Sequence, residues 1–139
     1  MELSEEKLEW RSVKAVFHEY HRYALLLKSL DRANPRRGQQ LALDFGALES
    51  IVDDDVIRRR EAEHYMASVM DSVKRLSVAE QKIIKLSYMT DSRVSPLRIY
   101  QEELHVGRTL FYTAKNKAVG KLYVLFDAKG LIQSPDFLR

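Results

Sequence analysis

Apolar side chains in the first thirty residues recur at alternating steps of 3 and 4, and this spacing constrains the fold more than any other feature. Trp10, Val13, Phe17, Tyr20, Ala24 and Leu27 line one helical face, which Val16, Tyr23 and Leu30 widen on one side. Ala62, Met66, Val69, Val73 and Leu76 repeat the same spacing later in the chain. Helices of several turns are the expected unit. Chain breakers are correspondingly scarce: 5 Gly and 3 Pro in 139 residues are too few for a turn-rich sandwich of strands. With 45% hydrophobic and 31% charged residues, the chain can bury a core. The expected fold is all-α. Its organisation reads as a helical N-terminal region over residues 1–75, a second domain over 76–128 and a tail over 129–139.

Local signals set the boundaries. Ser4 can cap the first helix, with Glu5 and Glu6 in its first turn, and Pro35 and Gly38 oppose continuation after about Leu30. The broad face of this helix can pack on the next long helix or pair with a second copy. Three heptads make a short seam, so packing is favoured. Residues 39–52 hold no sustained period and read as a short helix or ordered loop. Asp53, Asp54 and Asp55 then precede a helix to about Leu76, where they favour the positive end of its dipole and pair at i,i+4 with Arg58 and Arg59. Ser77-Val78-Ala79-Glu80 fits a capping box opening a helix with Ile83, Ile84, Leu86 and Tyr88 on its apolar side. After a polar connection over 90–94, Ser95-Pro96 starts a short helix whose inward residues read as Leu97, Tyr100 and Leu104. Val106 is expected to be buried and Gly107 to cap a last helix over about 108–126. The tail is read as loose or docked by Leu131, Ile132 and Phe137.

Several function classes find no footing. The chain has 0 Cys, which excludes disulfides, thiolate catalysis and Cys-ligated metals. His18 and His21 are one turn apart but lack a third ligand at suitable spacing, and Glu61, Glu63 and His64 form no repeated pair. No Gly-rich phosphate loop or nucleophile elbow is present. The expectation is a non-enzymatic protein with no metal and no cofactor. No apolar run approaches the ~20 residues of a membrane span, and the acidic start lacks a signal-peptide core. The expected setting is the cytoplasm, with no membrane partner.

Charge is distributed unevenly. Residues 1–76 carry 13 basic and 14 acidic side chains, whereas residues 77–139 carry 10 basic and 6 acidic, and 107–121 contain Arg108, Lys115, Lys117 and Lys121 with no acid. One-signed charge on a single element suggests a polyanionic partner. A short helix, a tight turn and a longer basic helix is also the sequence form of a helix-turn-helix. At about 100° per residue, Phe111, Ala114, Ala118, Leu122 and Leu125 fall in one arc and are expected to face the core. Thr109, Tyr112, Thr113 and Asn116 are expected to point away from it. Asn can bond an adenine edge bidentately, Thr and Tyr can reach bases or phosphates, and Arg108 at the helix start can reach guanine or backbone. Lys115, Lys117 and Lys121 are read as flanking phosphate contacts. The expected partner is double-stranded DNA.

The segments Leu76 to Tyr88, Ile99 to Tyr112 and Lys115 to Leu122 resemble a sigma-factor region 4 type helix-turn-helix. They are more closely similar to the ArpU/RinA group of small phage regulators of late genes. The shared pattern is Leu76 followed by Glu80-Gln81 and Ile83-Ile84, a turn ending at Leu104-His105-Val106, and the aromatic pair Phe111-Tyr112 before a Lys-rich stretch. The likeness covers roughly 70–126. It implies a bacterial host cell and activation of late lytic or packaging genes without catalysis. Where that group usually carries Ser, Thr and Ala, this chain has Gly107, Leu110 and Gln101. Gln101 then has to angle outward, and a backbone contact at Leu110 does not carry over.

Two other readings use the same features. The chain can be a sigma-like interaction module docking on host RNA polymerase or a phage protein, as the broad face of the first helix and Trp10 suggest. It can also be a small terminase-like packaging protein. A homodimer is expected on general grounds, because paired half-sites multiply specificity.

Overall fold

A computed structural model describes residues 5–33, 49–90 and 94–132, and those residues contain helices and no strand. The order is α1 (Glu5–Ala33), α2 (Glu49–Lys74), α3 (Val78–Ile84) continued by a π-helical turn (Lys85–Met89), α4 (Pro96–Arg98) continued by a second π-helical turn (Ile99–Glu103), and α5 (Arg108–Ala128). The proposed Ser4 cap, the breaker around Pro35 and Gly38, most of the 39–52 segment and the tail beyond residue 132 lie outside the described residues. No described helix is long and apolar enough to cross a membrane.

The chain divides into two compact units, residues 19–68 and residues 1–18 with 69–139. In the first, the Tyr23 and Tyr65 rings meet at 4.9 Å between centroids, and the Arg59 guanidinium donates to Asp31 Oδ1 at 2.7 Å. Burial pushes the Tyr65 hydroxyl up to about 12, with the Glu19 charge acting in the same direction. Two expectations are corrected in this unit. Helix α2 starts at Glu49, so Asp54 and Asp55 lie beyond its first turn and cannot serve its dipole as proposed. Arg59 bonds across to Asp31 instead of back to Asp55, because a partner on another helix approaches it directly.

In the second unit, Val13, Val16 and Phe17 of α1 are buried, as are Val69, Val73 and Leu76 of α2 and its C-terminal end. The Phe17 ring stacks on Tyr88 at 5.2 Å and meets the edge of Phe126 at 5.7 Å. Trp10, expected on the inward stripe, is partly exposed, and its indole N–H donates to Tyr88 Oη at 2.8 Å. The capping box forms: Glu80 N–H donates to Ser77 Oγ at 3.2 Å and Ser77 N–H donates to Glu80 Oε1 at 3.1 Å.

Ser95 caps α4, accepting from Arg98 N–H, with Pro96 at the first helical position. The inward residue of this short helix is Ile99, fully buried, whereas Leu97 is 51% exposed. Leu97, two residues before Ile99, lies on the opposite face, while Tyr100 and Leu104 pack half-buried beside Ile99 as expected. Leu104 N–H donates to the Ile99 carbonyl at 3.0 Å, the five-residue step of a π-helical turn. His105 has φ 54, a left-handed conformation that turns the chain so that Val106 N–H donates to the Tyr100 carbonyl at 2.8 Å. Ile83, Ile99 and Phe111 form the buried centre of this end, with Leu86, Tyr100, Leu104, Val106 and Tyr112 packed around them. Helix α5 stops at Gly130 (φ 73), where Leu131 N–H donates to the Phe126 carbonyl and Gly130 N–H to the Asp127 carbonyl.

Candidate nucleic-acid interface

Helix α5 opens at Gly107, whose extended backbone (φ −75, ψ 162) offers no side chain to the first turn. Phe111, Ala118, Val119, Leu122 and Phe126 are buried along it. The inward arc thus takes in Val119 and Phe126, while Ala114 and Leu125 are half-buried at its margin. Position in that arc decides what each polar residue of α5 can do.

Thr109, Thr113 and Asn116 are exposed, on the side away from the core. The Thr113 hydroxyl donates to the Thr109 carbonyl at 2.8 Å, which leaves its oxygen lone pairs facing solvent. Arg108 and Lys117 are exposed. The Arg108 guanidinium lies 5.7 Å from the Tyr112 ring centroid, a contact that holds it at the helix start. Gln101 is exposed, pointing outward as expected. Leu110 is 61% exposed on the same N-terminal half.

Three residues sit differently from the sequence expectation. Tyr112 is half-buried, its ring 5.0 Å from Phe111 in an edge contact, because one residue past Phe111 it reaches the margin of the buried arc. Lys115 is half-buried, with Nζ 5.4 Å from the Tyr88 ring centroid and 5.9 Å from that of Phe111. It stands four residues after Phe111 and three before Ala118, so the wheel that assigns the core also places Lys115 there. Lys121 donates to Glu80 Oε1 at 2.8 Å, tying α5 to the cap of α3.

The Glu80 side chain is 6% exposed and accepts from Ser77 and Lys121. Burial alone would raise its pKa, but the Lys121 ammonium and the Ser77 hydrogen bonds outweigh burial and hold it below the ordinary carboxylate value. A carboxyl depressed in the folded state adds stability above its unfolded pKa, about 4.3, and that stability is lost as pH falls through the folded value. Glu80→Gln is therefore expected to be less stable than the native chain at neutral pH. Urea titrations should show the difference shrinking below about pH 4. A difference that stays constant with pH would mean that the carboxylate charge contributes nothing.

Among the described residues, no group of three or more His, Asp or Glu side chains gathers as a metal site. Comparison of the chain with protein-family models, curated proteins and solved structures finds no match.

Proposed function

We propose that this chain is a sequence-specific DNA-binding regulator in which α4, the turn at His105 and α5 act as a sigma region 4-like helix-turn-helix, with α5 in the major groove. One observation carries the reading. The N-terminal half of α5 presents Thr109, Thr113 and Asn116 to solvent, with Arg108 and Lys117 beside them and no acidic residue between Arg108 and Phe126. A solvated helix of ordinary composition would carry Glu and Lys in mixture. Hydroxyls, an amide and cations at the start of a helix match the donors and acceptors of base edges and the charge of phosphates. The resemblance to the ArpU/RinA regulators extends this to activation of phage late genes in the cytoplasm of a bacterial host.

Exposed Leu97 and Leu110 favour a second use of the same domain, docking on host RNA polymerase, since both are large apolar side chains at the surface. Leu110 on the α5 face can equally meet a thymine methyl group.

Footprinting on DNA neighbouring the gene, followed by titration of Asn116→Ala, tests the primary reading. The variant should bind the footprinted site about 1–3 kcal/mol more weakly and mixed-sequence DNA nearly as before. Equal weakening on both would make Asn116 a backbone contact, and no footprint at any concentration would refute specific binding.

A further inference from the structure

A second cationic cluster lies on two aromatic rings, Trp10 of α1 and Tyr88 of the π-helical turn after α3, within the unit formed by residues 1–18 and 69–139. The Trp10 indole donates to Tyr88 Oη at 2.8 Å, linking the two side chains. Lys14 Nζ sits 4.5 Å from the Trp10 ring centroid, and Lys115 Nζ sits 5.4 Å from that of Tyr88. Two ammonium groups from different helices thus occupy adjoining members of one platform. Among the described residues neither forms an ion pair with a carboxylate. The Glu9 carboxylate lies beside Gly120, and that of Glu80 is taken by Lys121.

Such a pair is unfavourable in isolation. Burial first, and then the neighbouring Lys14 charge, hold the Lys115 pKa below the ordinary lysine value. An oxyanion seated between the two ammonium groups would relieve both effects, and lysine suits phosphate as a compact point charge. Lys115 precedes the outward-facing Asn116 and follows Tyr112 by three residues, so the cluster borders the surface assigned to base reading.

We propose that Lys14 and Lys115, held on the Trp10–Tyr88 platform, form a phosphate clamp that grips the nucleic-acid backbone beside the duplex segment read by α5. The anion chemistry stands on this geometry, and the identification of the anion as backbone phosphate rests on the DNA-binding reading. The clamp gives the first helix a direct part in binding, beyond bracing α5.

Trp10 is the only tryptophan in the chain, and Lys14 lies on its ring, so its emission reports on the site. The full chain is titrated with duplex DNA, with inorganic phosphate, and with chloride at matched ionic strength. Duplex should change Trp10 emission, and chloride should not. Lys14→Gln should lower duplex affinity roughly eightfold near 0.1 M salt and reduce the salt slope by about 1, with Lys14→Arg restoring both. Arg108→Ala/Lys117→Ala, once saturated with duplex at low salt, should keep the Trp10 response.

If duplex binds but Lys14→Gln changes neither affinity nor slope, the clamp is wrong while the DNA-binding reading stands. If inorganic phosphate changes the emission and duplex does not, the site takes a free phosphate and the backbone assignment is overturned. If neither anion has an effect, the clamp is wrong whatever else the protein binds.

Discussion

Replacing Phe111 with alanine is expected to lower the free energy of unfolding by about 3–5 kcal/mol, read from urea or thermal denaturation of the full chain. Phe111 is fully buried between Ile83 and Ile99, with the Tyr100 ring at 5.4 Å and the Tyr112 ring at 5.0 Å. Its removal deletes the transfer free energy of a whole ring and leaves a cavity that three short elements must collapse to fill. The lining combines aliphatic Ile83, Ile99, Leu86, Leu104 and Val106 with the rings of Tyr100 and Tyr112, and how far these close on the space sets the cost within the range. Typical domains are stable by ~5–15 kcal/mol, and the variant would lose a large share of that. Phe111→Leu retains most of the volume and should cost about 1–2 kcal/mol, which keeps a folded protein in hand for comparison. A loss below about 1 kcal/mol for the alanine variant would show that this cluster does not anchor α5.

Removing the two exposed cations of α5 is expected to weaken DNA binding by one to two orders of magnitude near 0.1 M salt. Each phosphate neutralised by a cation releases counterions and contributes about 0.9 to the slope of log affinity against log salt. Arg108→Ala/Lys117→Ala should thus reduce the slope by about 2, on specific and mixed sequences alike. Neither residue is buried, so the variant should unfold at nearly the same denaturant concentration as the native chain. Lys115 and Lys121 serve this test less well. The first rests on the Tyr88 ring and the second bonds Glu80, so their loss would disturb packing as well as charge.

The parts of the fold governed by neighbouring residues are visible in the sequence. Ser77 with Glu80, and Ser95 with Pro96, cap their helices through contacts three residues long, which is why residue type and spacing suffice to identify them. The alternating steps of 3 and 4 on α1 and α2 survive as the buried residues Val13, Phe17, Val69 and Val73. On the short helix the reading is partly right: Tyr100 and Leu104 pack on the core, but the fully buried residue is Ile99, and Leu97 on the opposite face is exposed, which three apolar positions over two turns do not decide. The start of α2 at Glu49 was hidden because apolar residues there follow no clean period.

The candidate interface divides along the same line. That Thr109, Thr113 and Asn116 face outward follows from the pitch of α5. The different surroundings of its lysines do not, because they depend on groups far away in the chain: Tyr88 under Lys115, and Glu80 against Lys121. Lys14 carried no signal as a site residue, since its relation to Lys115 exists only once Trp10 and Tyr88 are joined.

The most direct test of the account is an anisotropy titration of a labelled mixed-sequence duplex with the native chain, starting at ~50 mM salt and repeated at rising salt. Saturable binding that weakens steadily as salt increases is the predicted result, since an acid-free cationic helix face should meet phosphates whatever the sequence. A duplex left wholly free at the lowest salt, with the protein folded, would contradict the assignment of α5 to DNA and leave exposed Leu97 of α4 and Leu110 of α5 to a protein partner.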